Sequence, residues 1–83
     1  MVMRVMLVYV LIKIAPGKEE ETFKKISENE KIKKATEVLG PYDVVIEAEV
    51  EDEKELEDIV IKYLRGIESV LETVTLISVR KVS

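Results

Sequence analysis

The chain opens with a hydrophobic pattern typical of a strand that is apolar on both faces. Residues 5 to 14, VMLVYVLIKI, place large apolar side chains in both alternate sets, and Lys13 is the one charged residue among them. Because successive side chains of a strand point to opposite faces of its sheet, this pattern predicts a strand that is covered on both sides. Arg4 and Lys13 also leave the apolar run too short to cross a bilayer, so we predict neither a signal peptide nor a membrane span.

A short helix and a weaker strand follow. Over residues 16 to 29, PGKEEETFKKISEN, a Pro-Gly pair precedes a cluster of acids that suits a helix N-terminus, and two apolar residues come next at a spacing of three. Residues 31 to 39, KIKKATEVL, predict a strand whose lysines suit a sheet edge. Strict alternation would give this strand two faces, formed by Ile32, Lys34, Thr36 and Val38 and by Lys33, Ala35, Glu37 and Leu39.

The second half of the chain repeats this order of strand, helix and strand. After the turn GPYD, alternation predicts a strand with a core face made of Tyr42, Val44, Ile46, Ala48 and Val50. Asp52 is predicted to cap the next helix, with Glu55 reaching back to it and Gly66 helping to end it. The apolar stripe of that helix consists of Leu56, Ile59, Val60, Tyr63, Leu64 and Ile67. Residues 70 to 82, VLETVTLISVRKV, predict a long last strand.

These elements predict an α+β fold of the ferredoxin-like βαββαβ type, formed by one domain over residues 1–83. Right-handed crossovers place both helices on one face of a four-stranded antiparallel sheet, with the first and third strands in the middle. The first strand then turns several large aliphatic side chains towards water on the other face. Covering them with the sheet of a second copy is the economical solution, so we predict a homodimer with two-fold symmetry, a dimeric α+β barrel.

Composition narrows the chemistry that the chain can support. The 83 residues contain no Cys and no His, which removes disulfides, thiolate nucleophiles, imidazole bases and ordinary zinc sites. A net charge of −4 provides no basic footprint for nucleic acid, so we expect no direct nucleic-acid binding. We expect a cytoplasmic protein without a cofactor, and its weighting towards Lys and Glu is typical of thermophiles.

Three features together resemble a known family. The βαββαβ order, the turn Gly40-Pro41-Tyr42-Asp43 that opens the third strand and the TVTLI segment of the last strand look like the effector-binding and oligomerisation (RAM) domain of the Lrp/AsnC transcription regulators. The resemblance implies dimers that pair through their sheets, assembly into rings that are commonly octamers, and a free amino acid bound between dimers near this turn. Those regulators carry an N-terminal helix-turn-helix, whereas this chain starts at its first strand. We therefore expect a stand-alone member, which would influence transcription only through mixed assembly with full-length relatives.

The turn has the chemistry that an amino-acid ligand needs. Asp43 can receive the ligand ammonium, and Gly40 allows backbone N–H groups to approach the ligand carboxylate. Thr73 and Thr75 lie on one strand face by parity, and their hydroxyls could complete the site. With Pro41 and Tyr42 of the same turn, these are the predicted ligand-binding residues.

Each of these residues also has a structural interpretation that involves no ligand. Asp43 can close the turn by accepting a local backbone N–H, and Gly40 can simply serve the turn. Tyr42 suits a core or an interface, and threonine is a favoured strand residue, which would explain Thr73 and Thr75.

Glu47 and Glu49 point to the sheet face without helices. Cross-strand pairing with Lys13, Lys33, Arg80 or Lys81 is the simpler expectation for them. A position at the rim or in a wet cavity, where they would select a cationic ligand or hold a metal ion, is the alternative.

The sequence thus predicts an amino-acid-binding and oligomerisation module. The alternatives are a ligand-free assembly module and, from a third class, a small enzyme of the dimeric α+β barrel type. Against catalysis, the chain has no histidine, no Gly-rich phosphate loop and no ordered acid–base pair.

Overall fold

The computed structural model describes residues 5–80, and the predicted element order is confirmed there. The last strand ends at Ile77, earlier than predicted, because residues 78–80 are described and lie outside any strand. Arg4, Lys81 and Val82 lie outside the described residues. The second helix, α2, is continuous but has three parts, because a π-helical segment separates two α-helical ones. The elements are β1 (Met6–Ile14), α1 (Glu19–Ser27), β2 (Ile32–Glu37), β3 (Val44–Val50), α2 (Glu53–Glu55, π-helical Leu56–Ile61, Lys62–Arg65) and β4 (Val70–Ile77).

The four strands form one antiparallel sheet in the order β2-β3-β1-β4, with β1 and β3 in the middle as predicted. The core lies on one face of this sheet, beneath both helices. In β1 and β3 it takes alternate residues, because the side-chain period of a strand is two. Its members from these strands and helices are Val8, Val10, Ile12, Ile14, Val44, Ile46, Ala48, Val50, Ile26, Leu56, Val60, Ile61, Leu64 and Ile67. We call this the covered face and the opposite one the bare face.

The β2 strand is shorter than predicted and does not alternate strictly. It ends at Glu37, so Val38 and Leu39 belong to the following turn, where Leu39 is fully exposed. The register with β3 shifts between Ile32 and Lys34. Because this irregularity inserts a residue, Ile32 and Ala35 both pack against the core. The prediction that Ile32 shares a face with Lys34 was therefore wrong.

Helix α2 begins at the predicted cap. The Asp52 carboxylate accepts a hydrogen bond from the Glu55 backbone N–H at 2.8 Å, which satisfies one of the free donors of the first turn. Glu55 does not serve as the reciprocal half of that cap, since its carboxylate lies 2.7 Å from the Lys31 ammonium. The hydrogen bond to Glu55 and the Glu55 charge raise the pKa of Lys31. The ion pair connects the segment before β2 to α2.

The middle of α2 departs from the predicted apolar stripe. Ile59 is 41% exposed and Ile61 is buried, the reverse of what a regular α-helix would give. The cause is the π-helical segment, whose hydrogen bonds span five residues instead of four and move the buried face forward along the chain. Asn29 supports this segment by donating its side-chain N–H to the Ile59 carbonyl at 3.0 Å. Gly66 does follow the helix, but its φ of −74° is right-handed, so no left-handed glycine cap is used.

No helix within residues 5–80 is both long enough and apolar enough to cross a membrane.

Candidate functional site

The turn between β2 and β3 is built on Gly40. Its φ of +149° lies in the region that favours glycine, because a Cβ would strain the backbone there even though space around it is open. The turn is closed by the Val38 N–H, which donates to the Asp43 carbonyl at 2.9 Å. Gly40 therefore has a clear role in the turn, and Pro41 lies exposed beside it. Ligand contact by either residue stays a prediction.

Asp43 joins the turn to the central strand. Its backbone N–H donates to the Ile12 carbonyl at 2.9 Å, and its carboxylate Oδ2 accepts the Ile14 N–H at 2.7 Å. The carboxylate thus extends the hydrogen-bond ladder between β1 and β3 beyond the last paired residues. This long-range bond differs from the local closure that the sequence suggested as an alternative. The bond to the Ile14 N–H explains why an acid occupies the start of this strand. The ligand role of Asp43 stays a prediction.

Tyr42 links the turn to the far edge of the sheet. Its hydroxyl donates to the Glu72 carboxylate of β4 at 2.9 Å, so the half-buried ring passes beside the end of β1. The hydrogen bond that the hydroxyl donates to Glu72 raises the pKa of Tyr42, and burial and the Glu72 charge raise it further. Tyr42 is therefore neither a core residue nor a free surface ring.

The two predicted threonines share one face of β4, as parity required. Thr73 pairs with Ile12 and Thr75 with Val10, so both lie on the covered face, where Thr73 is half-buried and Thr75 is exposed. Ile12 also accepts the backbone N–H of Asp43, which places Thr73 one strand away from the turn. Thr75 lies two residues further along β4. The structure thus brings Thr73, more than Thr75, towards the turn.

A cleft of about 350 Å³ lies between the end of α2 and the start of β4, lined by Arg65, Val70, Leu71, Glu72 and Thr73. We call it the α2–β4 cleft. It contains one predicted site residue, Thr73, together with the Tyr42 partner Glu72. Sequence reasoning missed Arg65 and Glu72. Both are ordinary surface residue types at exposed positions, so the sequence carries no local signal for them.

A larger depression, of about 700 Å³, runs along α1 and shares no residue with the turn. Its lining residues are Gly17, Glu20, Glu21, Phe23, Lys24 and Ser27.

The bare face combines apolar side chains with a polar row at its centre. Its apolar members are Leu7, Leu11, Val45, Val74 and Leu76, which are half-buried except for the exposed Leu76. Tyr9 lies opposite Glu47 in the register of β1 and β3. Burial, followed by a hydrogen bond with Glu47 and the Glu47 charge, raises the pKa of Tyr9.

The central acid of the bare face has a cross-strand partner. The Lys34 ammonium lies 3.8 Å from the Glu47 carboxylate, and the two residues are direct register partners in β2 and β3. Glu47 thus has the cross-strand partner that was predicted in kind, but the partner is Lys34 instead of Lys13, Lys33 or Arg80. Lys81, the fourth expected partner, lies outside the described residues. Glu49 is exposed at the same face.

Comparison with known proteins gives a consistent family. The family model described as the Lrp/AsnC ligand binding domain matches residues 7–83. Among solved structures, TTHA0845 from Thermus thermophilus has a TM-score of 0.86 and 28% sequence identity, with 94% of this chain and 98% of that chain covered. No curated protein sequence matches the chain.

Two more distant structures share the fold. AsnC from E. coli has a TM-score of 0.85 and 17% identity, with 92% of this chain and 52% of that chain covered. The feast or famine regulatory protein Rv3291c from M. tuberculosis, in a structure complexed with L-methionine, has a TM-score of 0.79 and 19% identity. That alignment covers 92% of this chain and 51% of that chain, so the chain spans about half the length of both regulators.

Proposed function

Because the chain belongs to the Lrp/AsnC ligand-binding domain family, as its resemblance predicted, and is accordingly a small-molecule-binding module, we propose that its ligand is a free amino acid. The observation that carries this proposal is the family match over residues 7–83. The L-methionine complex of Rv3291c supports an amino acid as the class of ligand.

The turn formed by Gly40 to Asp43 is one wall of the proposed site. An amino-acid ligand brings an ammonium and a carboxylate, and both need charged or oriented polar partners when they leave water. The bond from the Ile14 N–H to Asp43 uses Oδ2. An ionised carboxylate has about four acceptor positions on its two oxygens, so Asp43 retains capacity for the ligand. The Gly40 conformation and the Tyr42–Glu72 bond hold the rest of this wall in place.

Pairing of two copies through the bare face completes the proposal. Half-buried Leu7, Leu11, Val45 and Val74 and exposed Leu76 form an apolar surface that a second sheet can cover. Full burial of an aliphatic side chain contributes about 1.5–3 kcal/mol, so the partly open ones together favour association. A two-fold arrangement uses the same surface on both copies.

The output of such a module is a change in assembly. A ligand bound at a boundary between copies stabilises the assembled form by mass action. Dimers of the chain then form rings such as octamers, with the site between dimers, or assemble with full-length Lrp/AsnC regulators.

Thermal unfolding with each of the twenty amino acids tests the proposal, and two variants of Asp43 separate its two roles. Asp43→Ala leaves the Ile14 N–H without its acceptor, which costs about 1–3 kcal/mol whether or not a ligand exists. Asp43→Asn keeps an acceptor oxygen and removes only the charge. We expect at least one amino acid to raise the melting temperature of the natural chain, and less so in Asp43→Asn, whose unliganded stability stays close to that of the natural chain.

The bond between Asp43 and Ile14 favours one second candidate, an assembly module without a ligand, because it gives the acid a purely structural task. Silence across the whole amino-acid panel, with the assembly intact by light scattering, would select that candidate.

A further inference from the structure

Two elements of the fold each contain one residue more than their regular form, and both irregularities lie at the same end of the sheet. In α2 the Lys62 N–H donates to the carbonyl of Glu57, five residues earlier, which is the π-helical spacing. In β2 the register with β3 shifts between Ile32 and Lys34. β2 begins opposite the end of β3, and α2 begins shortly after that end. π-helical turns and β-bulges are both frequent at functional sites.

Asn29 joins the two irregularities. Its side-chain N–H donates to the Ile59 carbonyl inside the π-helical segment at 3.0 Å, and its side-chain oxygen accepts the Lys31 N–H at 2.9 Å. Its backbone carbonyl accepts the N–H of Ile32, the first residue of β2, at 3.0 Å. A side-chain amide suits this position, because it offers a donor and an acceptor at the end of one side chain. The same amide therefore holds the π-helical turn and the entry to β2.

The shift in β2 decides which of its residues reach each face of the sheet. Ile32 and Lys34 pair with successive residues of β3, so Lys33 is the extra residue. Strict alternation would place Lys33 opposite Glu47 and turn Lys34 towards the covered face. The shift instead puts Lys34 on the bare face, 3.8 Å from the Glu47 carboxylate. The polar row of the bare face thus depends on how β2 begins.

We propose that Asn29 couples the helix layer to the bare face, as part of a conformational device with two states. In the observed state α2 has its π-helical turn, and Asn29 fixes both the Ile59 carbonyl and the start of β2. In the second state α2 is a regular α-helix whose carbonyls bond within the helix, so Asn29 loses its acceptor. β2 then loses its shift, and Lys34 leaves Glu47. Because packed elements change between discrete arrangements, a change in α2 reaches the polar row without any contact between the two. The device is independent of the proposed amino-acid ligand.

NMR of the backbone amides tests the coupling with one neutral variant. Asn29→Ser keeps an acceptor for the backbone N–H two residues on, because serine forms the same kind of local turn, but it is too short to reach the π-helical turn. We expect the Lys62 amide to exchange with solvent roughly 10-fold faster, since one hydrogen bond that supports this turn is lost. The amide signals of Lys34 and Glu47 should shift together with those of α2.

Ser27→Ala is the matched control for this variant. The Ser27 hydroxyl donates to the Phe23 carbonyl at 2.9 Å, so the substitution also removes a bond from a side chain to a backbone carbonyl, but one that stays within α1. Its effect on the amide signals should end in α1. A control that moves the polar row as far as Asn29→Ser does would overturn the coupling. An Asn29→Ser chain whose shifts stop at α2 would overturn it as well.

Coupling between two sites is reciprocal, so a change on the bare face should disturb α2. Lys34→Gln removes the charge that pairs with Glu47, and we expect the Lys62 amide to exchange about two- to fivefold faster, in keeping with an exposed ion pair. Lys33→Gln removes the same charge from the neighbouring exposed position, which takes part in none of the ion pairs within residues 5–80. It should leave the exchange rate unchanged. Equal Lys62 exchange in Lys34→Gln and the natural chain would show that the π-helical turn is only a local packing feature.

Discussion

The two faces of the sheet differ in residue type and in exposure to solvent. On the covered face, the side chains of β1 and β3 are uniformly aliphatic, and Val8, Val10, Ile12 and Ile46 are completely shielded from solvent within a single chain. On the bare face, the same two strands carry leucines beside Tyr9 and Glu47, and Leu76 of β4 remains 48% exposed. A uniformly aliphatic surface is suited to being buried once, within the chain. A mixed surface suits the association of copies that we propose for the bare face.

In the proposed pairing of two copies, the polar row would make the bare face selective for one register of its partner. An apolar surface alone has no preferred register, since hydrophobic contact is not directional. Tyr9, Glu47 and Lys34 form a line across three strands. A partner sheet that leaves this line unmatched would bury charges without compensation, which is costly. The comparison therefore assigns folding to the covered face and, with the proposed pairing, specificity of assembly to the bare face.

The largest effect is expected from a truncation on the covered face. Ile46→Ala removes three carbons from a fully buried position between the sheet and the helices. Because the surrounding core relaxes only partly, we expect a loss of about 2–5 kcal/mol in the free energy of unfolding. Urea denaturation followed by circular dichroism measures it. Glu49→Ala on the adjoining bare face is the control, and a similar loss there would erase the distinction between the faces.

A charge on the bare face should separate copies and spare the fold. Leu11→Asp removes one leucine from each copy in the proposed two-fold interface. Burial of the two leucines would contribute about 3 kcal/mol or more to association. The dissociation constant should therefore rise on the order of 100-fold or more. Light scattering should show a lower mass while the circular dichroism spectrum is kept. Val79→Asp, at a position 91% exposed after β4, is the matched control. An unchanged mass for Leu11→Asp would place the interface elsewhere.

The smallest expected effect is a loss of stability at alkaline pH. The pKa of Tyr9 is raised by burial and by Glu47, so the folded chain holds this proton more tightly than the unfolded chain. Its contribution to stability is complete below the ordinary tyrosine pKa of about 10 and is lost as the pH rises through the folded value. Lys31, whose pKa is raised by Glu55, acts in the same direction.

Tyr9→Phe isolates the bare-face part of this alkaline effect. We expect its unfolding free energy to fall less than that of the natural chain between about pH 9 and 11. In Glu47→Gln, the hydrogen bond and charge that raise the Tyr9 pKa are weakened but burial remains, so the pKa should move part of the way back. Titration of the ring resonances by NMR measures this shift. An identical alkaline decline in the natural and Tyr9→Phe chains would mean that Tyr9 does not contribute.

Features that depend on local sequence pattern were predicted correctly. The predictions failed where a strand or a helix contains one extra residue, as β2 and α2 do. The element order, the central position of β1 and β3, and the Asp52 cap follow from periodicity, turn residues and capping chemistry, which are readable along the chain. The exchange of Ile59 for Ile61 depends on the π-helical segment, and the partner of Glu47 depends on the shift in β2. Both are set by packing in three dimensions.

The residues around the turn and the α2–β4 cleft differ in how clearly the sequence marks them. Gly40 and Asp43 stand out because their residue types are unusual at a strand entrance. Arg65 and Glu72 are ordinary surface residues in the sequence, and only the placement of α2 against β4 brings them to one cleft. The Tyr42–Glu72 bond spans 30 positions along the chain and leaves no local signature.

The bond between Asp43 and the Ile14 amide bears on how related genes are to be sorted. Folding by itself calls for a hydrogen-bond acceptor at this position, so a descendant that no longer senses any metabolite could still keep the aspartate. The aspartate is thus a poor marker for sensors in a genome survey.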